Sequence, residues 1–218
     1  MSVASRNGVA TLSYSSGVTS TAGGASDRVR PLRADAERTV RAILEAAERV
    51  LSANPAATME QIAEAAGVAR TTVHRRFATR EALIVAMTGW ATRQFHDAVT
   101  AARPDATPPA VALYQVTANV LRVKIAWGFA MNALRTDDPE VAHVHTDVLD
   151  RCDRLFRRAR DAGLLRPDVD LDWTRRVYYA LIHETAQDDR GEDADVLATR
   201  IVDTLLRGFG TPDGPSTR

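Results

Sequence analysis

The chain has 218 residues, 45% of them hydrophobic, with 28 basic and 28 acidic side chains. That composition suits a globular protein of one larger domain or a small domain joined to a larger one. A net charge of zero excludes a basic coat that covers nucleic acid regardless of sequence, but not a DNA-reading patch, which depends on where the charge sits.

Cys152 is the only cysteine, so no intrachain disulfide is possible and no oxidising compartment is required. No apolar run reaches eighteen residues and no secretory signal opens the chain, so it is expected to be soluble, cytoplasmic and free of membrane contact. Lys124 is the only lysine, and arginine supplies the remaining positive charge.

Residues 1–33 are rich in Ser, Thr, Gly and Ala, with few apolar residues and no period. They are expected to be a disordered arm. Arg6, Arg28, Arg30 and Arg33 against Asp27 give it a net charge of +3, which suits either a solvated tail or an arm entering the minor groove. From Asp35 the pattern becomes helical: Val40, Ile43, Leu44, Ala47, Val50 and Leu51 predict a first helix over 35–53, stopped by Asn54 and Pro55. Thr58 stands three residues before Gln61, a capping-box arrangement, so a second helix runs from Thr58 or Met59 to Ala66. Gly67 breaks it. A short third helix follows over 69–77, and Thr79 caps a fourth that continues to about 101.

The three prolines of 103–109 mark a loop. One or two helices then span 110–134. Asp138 and Pro139 open another, which ends at Gly163. Asp170 or Asp172 starts the next, the acidic stretch 187–195 is a loop, and a last helix covers 195–208. No stretch alternates with a period of two, so the fold class is all-α.

The second and third helices are about three residues apart, with Gly67 between them. That is the spacing of a helix-turn-helix. Val73 and Phe77, one turn apart, point the third helix into a core and leave Arg70, Thr71, Thr72, His74, Arg75 and Arg76 outside or at the rim. Four arginines and no acid lie between Val68 and Arg80, whereas 34–83 as a whole carries seven charges of each sign. Such a helix fits the major groove, where its arginines and hydroxyls can meet phosphates and base edges. Thr58, at a capped helix N-terminus, is placed for a phosphate.

The run from Thr58 to Leu83 resembles the DNA-binding signature of TetR-type regulators, carried by Ile62-Ala63, Ala66-Gly67-Val68, Phe77 and Glu81-Ala82-Leu83. The resemblance is close over about 50 residues; the remainder agrees in length and helix order. It departs at His74, where the family usually has Tyr, and at Arg80, where it usually has Lys. It implies DNA contacts from Thr58, Arg70, Thr71, Thr72, His74, Arg75 and Arg80. It also implies a division into a three-helix DNA-binding domain over 34–83, a helical ligand-binding and dimerisation domain over 84–210 and a flexible tail over 211–218.

Residues 84–210 carry a net charge of about −3, so this half is not a second DNA module. By resemblance it binds a small-molecule effector among its helices. Trp90, Phe95, Tyr114, Asn119, Trp127, Met131, Tyr178 and His183 are the candidate wall, with Phe129, Asn132 and Tyr179 beside them. The apolar stripe Val196, Leu197, Ile201, Val202, Leu205 and Leu206, with Val177 and Leu181 on the preceding helix, is the expected homodimer interface, a four-helix bundle between subunits. His143 and His145 are two apart and have no third ligand nearby, so neither a metal nor another cofactor is expected. No nucleophile elbow or phosphate loop suggests an enzyme. The expected function is a dimeric repressor that binds a palindromic double-stranded operator and leaves it on binding its effector. The alternatives are a regulator without a small-molecule ligand, or an activator.

Overall fold

A computed structural model describes residues 26–134, 139–187 and 191–209. Among them the regular structure is entirely helical: α1 (Ser26–Ala53), α2 (Met59–Ala65), α3 (Arg70–Arg76), α4 (Arg80–Ala101), α5 (Pro109–Ala126), α6 (Gly128–Asn132), α7 (Pro139–Asp161), α8 (Leu171–Gln187) and α9 (Ala194–Phe209). The all-α expectation holds.

The described residues up to Thr39 and those from Val40 onward form two compact units. In the first, α1 already begins at Ser26, nine residues before the expected start, so 26–33 are helical and not a disordered arm. Apart from Pro31, the residues that follow Ser26 are compatible with a helix, and Arg, Leu, Ala and Glu among them favour one. Asp35 pairs with Arg38, and its carbonyl accepts the Thr39 hydroxyl at 2.8 Å. The remainder of the predicted arm, 1–25, and the tail, 211–218, lie outside the described residues, as does Asp138.

Among the described residues of the second unit two cores form. One gathers α5, the second half of α4, α7, α8 and α9 around Leu113, Leu121, Phe156, Leu165 and Leu205. The other gathers Ile43, Leu44 and Leu51 of α1 with Ile62 of α2, Val73 of α3, Leu83 and Met87 of α4, and Trp127 and Ala130. Burying each such large apolar side chain contributes about 1.5–3 kcal/mol. Helix α4 belongs to both cores, so the expected domain boundary at 83/84 falls inside an unbroken helix.

Local signals explain the ends. Thr58 caps α2: its hydroxyl accepts the Gln61 N–H at 3.3 Å while the Gln61 side chain accepts the Thr58 N–H at 2.8 Å. Gly67, at φ +65°, ends α2 in a Schellman turn, with Val68 N–H bonded to Ala63 O and Gly67 N–H to Glu64 O. Gly163, at φ +75°, closes α7 the same way through Leu164 and Ala159. Thr79 caps α4, and Asp170 accepts two N–H groups at the start of α8. The 110–134 region resolves into two helices, α5 and α6, because Trp127 leaves helical geometry at φ −129°, ψ 39°.

Candidate functional site

Helices α2 and α3 make the helix-turn-helix. The positive φ at Gly67 turns the chain in two residues, and Ala69 enters α3 in extended geometry. Val73 and Phe77 are buried, so the opposite face of α3 must look outward. Arg70, Thr71, His74, Arg75 and Arg76 are exposed, and Thr72 is half-buried. Arg70 pairs with Glu60 of α2 at 2.7 Å, and His74 Nε2 stands 3.8 Å from the same carboxylate. Glu60 sits below its ordinary carboxyl range, first because its own backbone N–H and the Thr58 hydroxyl bond to it, and further because of Arg70 and His74. The Arg80 guanidinium donates to the Pro55 carbonyl, which ties the start of α4 to the turn before α2.

Beyond this surface, α4, α5, α7 and α8 enclose a cavity of about 420 Å³, a size at which small-molecule sites occur. Of the expected wall residues, Phe95, Met131, Tyr178 and Tyr179 line it. The others stand elsewhere. Trp90 and Trp127 pack on one another at 6.5 Å in the core shared with α1, with Arg41 over the Trp90 ring. Tyr114 donates to Asp203 of α9 at 2.6 Å, which raises its hydroxyl above the ordinary range. Asn119 donates to the Ala98 carbonyl, and His183 is exposed.

The cavity's polar groups are few. Tyr178 shares a 2.8 Å hydrogen bond with Thr117, and burial raises its hydroxyl far above the ordinary value. Burial does the same to Tyr179, whose hydroxyl lies against the Cys152 thiol as a side-chain hydrogen-bond partner, so it does not supply a base. Thr92 Oγ1 is buried without a hydrogen-bond partner among the described residues. Burial pushes the Cys152 thiol up, away from the reactive thiolate. Among the described residues no group of His, Cys, Asp and Glu is arranged to hold a metal ion.

Sequence reasoning passed over two side chains. Glu48 is an acid on the apolar stripe of α1, one turn from Leu44, and is buried. Its carboxylate accepts the N–H groups of Phe129 at 2.6 Å and Ala130 at 3.0 Å, and so caps α6 from another helix. Lys124 lines the cavity from the last turn of α5. The visible signals were an acid within an apolar period and the chain's single lysine between Val123 and Ile125.

The expected dimer residues divide. Ile201, Val202 and Leu205 are buried in the chain's own core, where α9 packs along α5. Val177, Leu181 and Leu206 are half-buried, and Val196 is 48% exposed. Trp173, at the start of α8, is 54% exposed and was not anticipated.

Comparison with known proteins agrees with this geometry. Residues 43–87 match the family model for bacterial regulatory proteins of the tetR family. The chain is 33% identical over 180 residues to the HTH-type transcriptional repressor LfrR of Mycolicibacterium smegmatis, covering 78% of this chain and 92% of that protein. The crystal structure of the TetR-like regulator LfrR from Mycobacterium smegmatis in complex with proflavine is 28% identical, with a TM-score of 0.61 over 80% of this chain and 98% of that one. A tetR-family regulatory protein from Rhodococcus RHA1 shares the fold at 21% identity, with a TM-score of 0.65 over 80% of this chain and 98% of its own. No described helix is long and apolar enough to cross a membrane.

Proposed function

The chain belongs to the TetR family of bacterial transcriptional regulators, and from that premise we propose that it is a ligand-responsive repressor. It binds a near-palindromic operator as a homodimer and leaves it when a small molecule enters the cavity. The observation that carries this reading is the path of α4. Its first residue, Arg80, stands beside the helix-turn-helix, and its middle, at Thr92, Phe95 and Val99, is cavity wall. A ligand that favours one position of α4 over another therefore changes the spacing of the two recognition helices in a dimer. That spacing must match one DNA repeat or a multiple of it, so the ligand changes affinity by linkage. The proflavine complex of LfrR shows a related chain binding a small molecule, which supports the same use of this cavity.

On the DNA side, Thr71, Thr72, His74 and Arg75 of α3 read the major groove, and Thr58, Arg70 and Arg80 hold phosphates. Arg70 leaves Glu60 for the phosphate, an exchange between exposed partners that costs little. The dimer forms through α8 and α9, with Trp173, Val177, Leu181, Val196 and Leu206 on the partner's side. Arg75→Ala is expected to weaken operator binding about tenfold or more in a gel-shift titration, with dimerisation intact by sedimentation. Unchanged affinity would remove Arg75 from the interface.

A further inference from the structure

The cavity wall is selective in charge. Among the described residues it has no carboxylate, and its cations are Lys124 and, when protonated, His145. Lys124 is half-buried, and among the described residues no ion pair or hydrogen bond engages it; burial draws its ammonium below the ordinary lysine range. A further wall group, Thr92 Oγ1, is buried without a hydrogen-bond partner among the described residues. Both can donate a hydrogen bond, and the ammonium can only donate. A half-buried cation with no counter-charge is unfavourable, and an unsatisfied buried hydroxyl adds to the cost, so a hydrogen-bond acceptor placed against this wall is favoured.

The rest of the wall fixes the shape of the occupant. Val116, Val120 and Lys124 follow one another at four-residue steps along one face of α5, so the ammonium ends an apolar stripe roughly 12 Å long. Phe95, Val99 and Ile182 continue the apolar surface. We infer that the effector is an apolar molecule carrying one anionic group, whose body lies along Val116 and Val120 and whose head meets Lys124. The inference rests on the cavity being the effector site and adds the charge and polarity of what enters it. A lysine serving only the carbonyl end of α5 would confer no such preference.

The test compares three probes of equal chain length, decanoate, decanol and decylammonium, by isothermal titration calorimetry on the full chain. Decanoate is expected to bind about tenfold or more tightly than decanol, and decylammonium more weakly than decanol. Lys124→Met is expected to erase the advantage of decanoate, and Lys124→Arg to keep it. Should Lys124→Met fail to fold, the order of the three probes on the wild-type chain and on Lys124→Arg still decides. Equal affinities, or decylammonium binding first, would overturn the anionic assignment while leaving the cavity as a ligand site. Failure of all three to bind overturns the assignment too; effector-driven release from operator then judges the cavity separately.

Discussion

Glu48 joins α1 to α6, and replacing it with glutamine isolates that bond. The carboxylate offers one oxygen to the Phe129 N–H and the other to the Ala130 N–H, and Ser52 donates to the first at 3.1 Å. Glutamine keeps the shape but has one acceptor oxygen, and its amide would face the second N–H donor to donor. One unsatisfied buried donor costs about 1–3 kcal/mol. Relief from burying an ionised carboxylate offsets part of this. The net loss is expected to be about 1–2 kcal/mol, or roughly 2–8 °C in Tm for a chain of this size. Scanning calorimetry of wild type and Glu48→Gln at pH 7 measures it. A Tm unchanged within about 1 °C would refute the claim that this cap holds α6.

The same residue predicts a pH trend. Burial raises the Glu48 carboxyl above its ordinary 4.5, against the opposing pull of Phe129, Ala130 and Ser52. A raised folded value means that the stability it contributes is fully present below the unfolded value and is lost as pH rises through the folded one. The Tm gap between wild type and Glu48→Gln should therefore widen as pH falls from 7 towards 5; a gap that narrows contradicts the sign. At the proposed dimer face, Val196→Glu is expected to give folded monomer by sedimentation velocity, because Val196 is exposed. Leu205→Glu is expected to unfold the chain, because Leu205 is 1% exposed and an unpaired charge there is costly. A folded dimer from Val196→Glu would move the interface elsewhere.

The DNA-binding end was legible because its determinants are local. The Thr58–Gln61 box, Gly67 at positive φ and the Val73–Phe77 pair are each set within a few residues, and each is where the sequence put it. The start of α1 was misplaced because its composition shifts towards helix formers before any apolar period begins. The cavity wall was harder. Aromatics at helical spacing look alike whether they face ligand or core: Phe95 faces the cavity, whereas Trp127 packs against Trp90. Tyr114 could not be assigned either, because its hydroxyl partner, Asp203, lies on α9 and is set by tertiary packing. The break between α5 and α6 depends on Trp127 and Glu48, so it too is a long-range event. On α9 the stripe was read correctly as apolar. Which of its residues α5 would cover required the fold.

The central claim, that this chain reads operator DNA as a two-fold dimer, is tested most directly by selecting bound duplexes from a random pool with the full chain and sequencing them. The account predicts enrichment of a near-palindrome whose half-sites are one helical turn apart or a multiple of it. Enrichment of a single unrepeated half-site, or of no sequence at all, would contradict it.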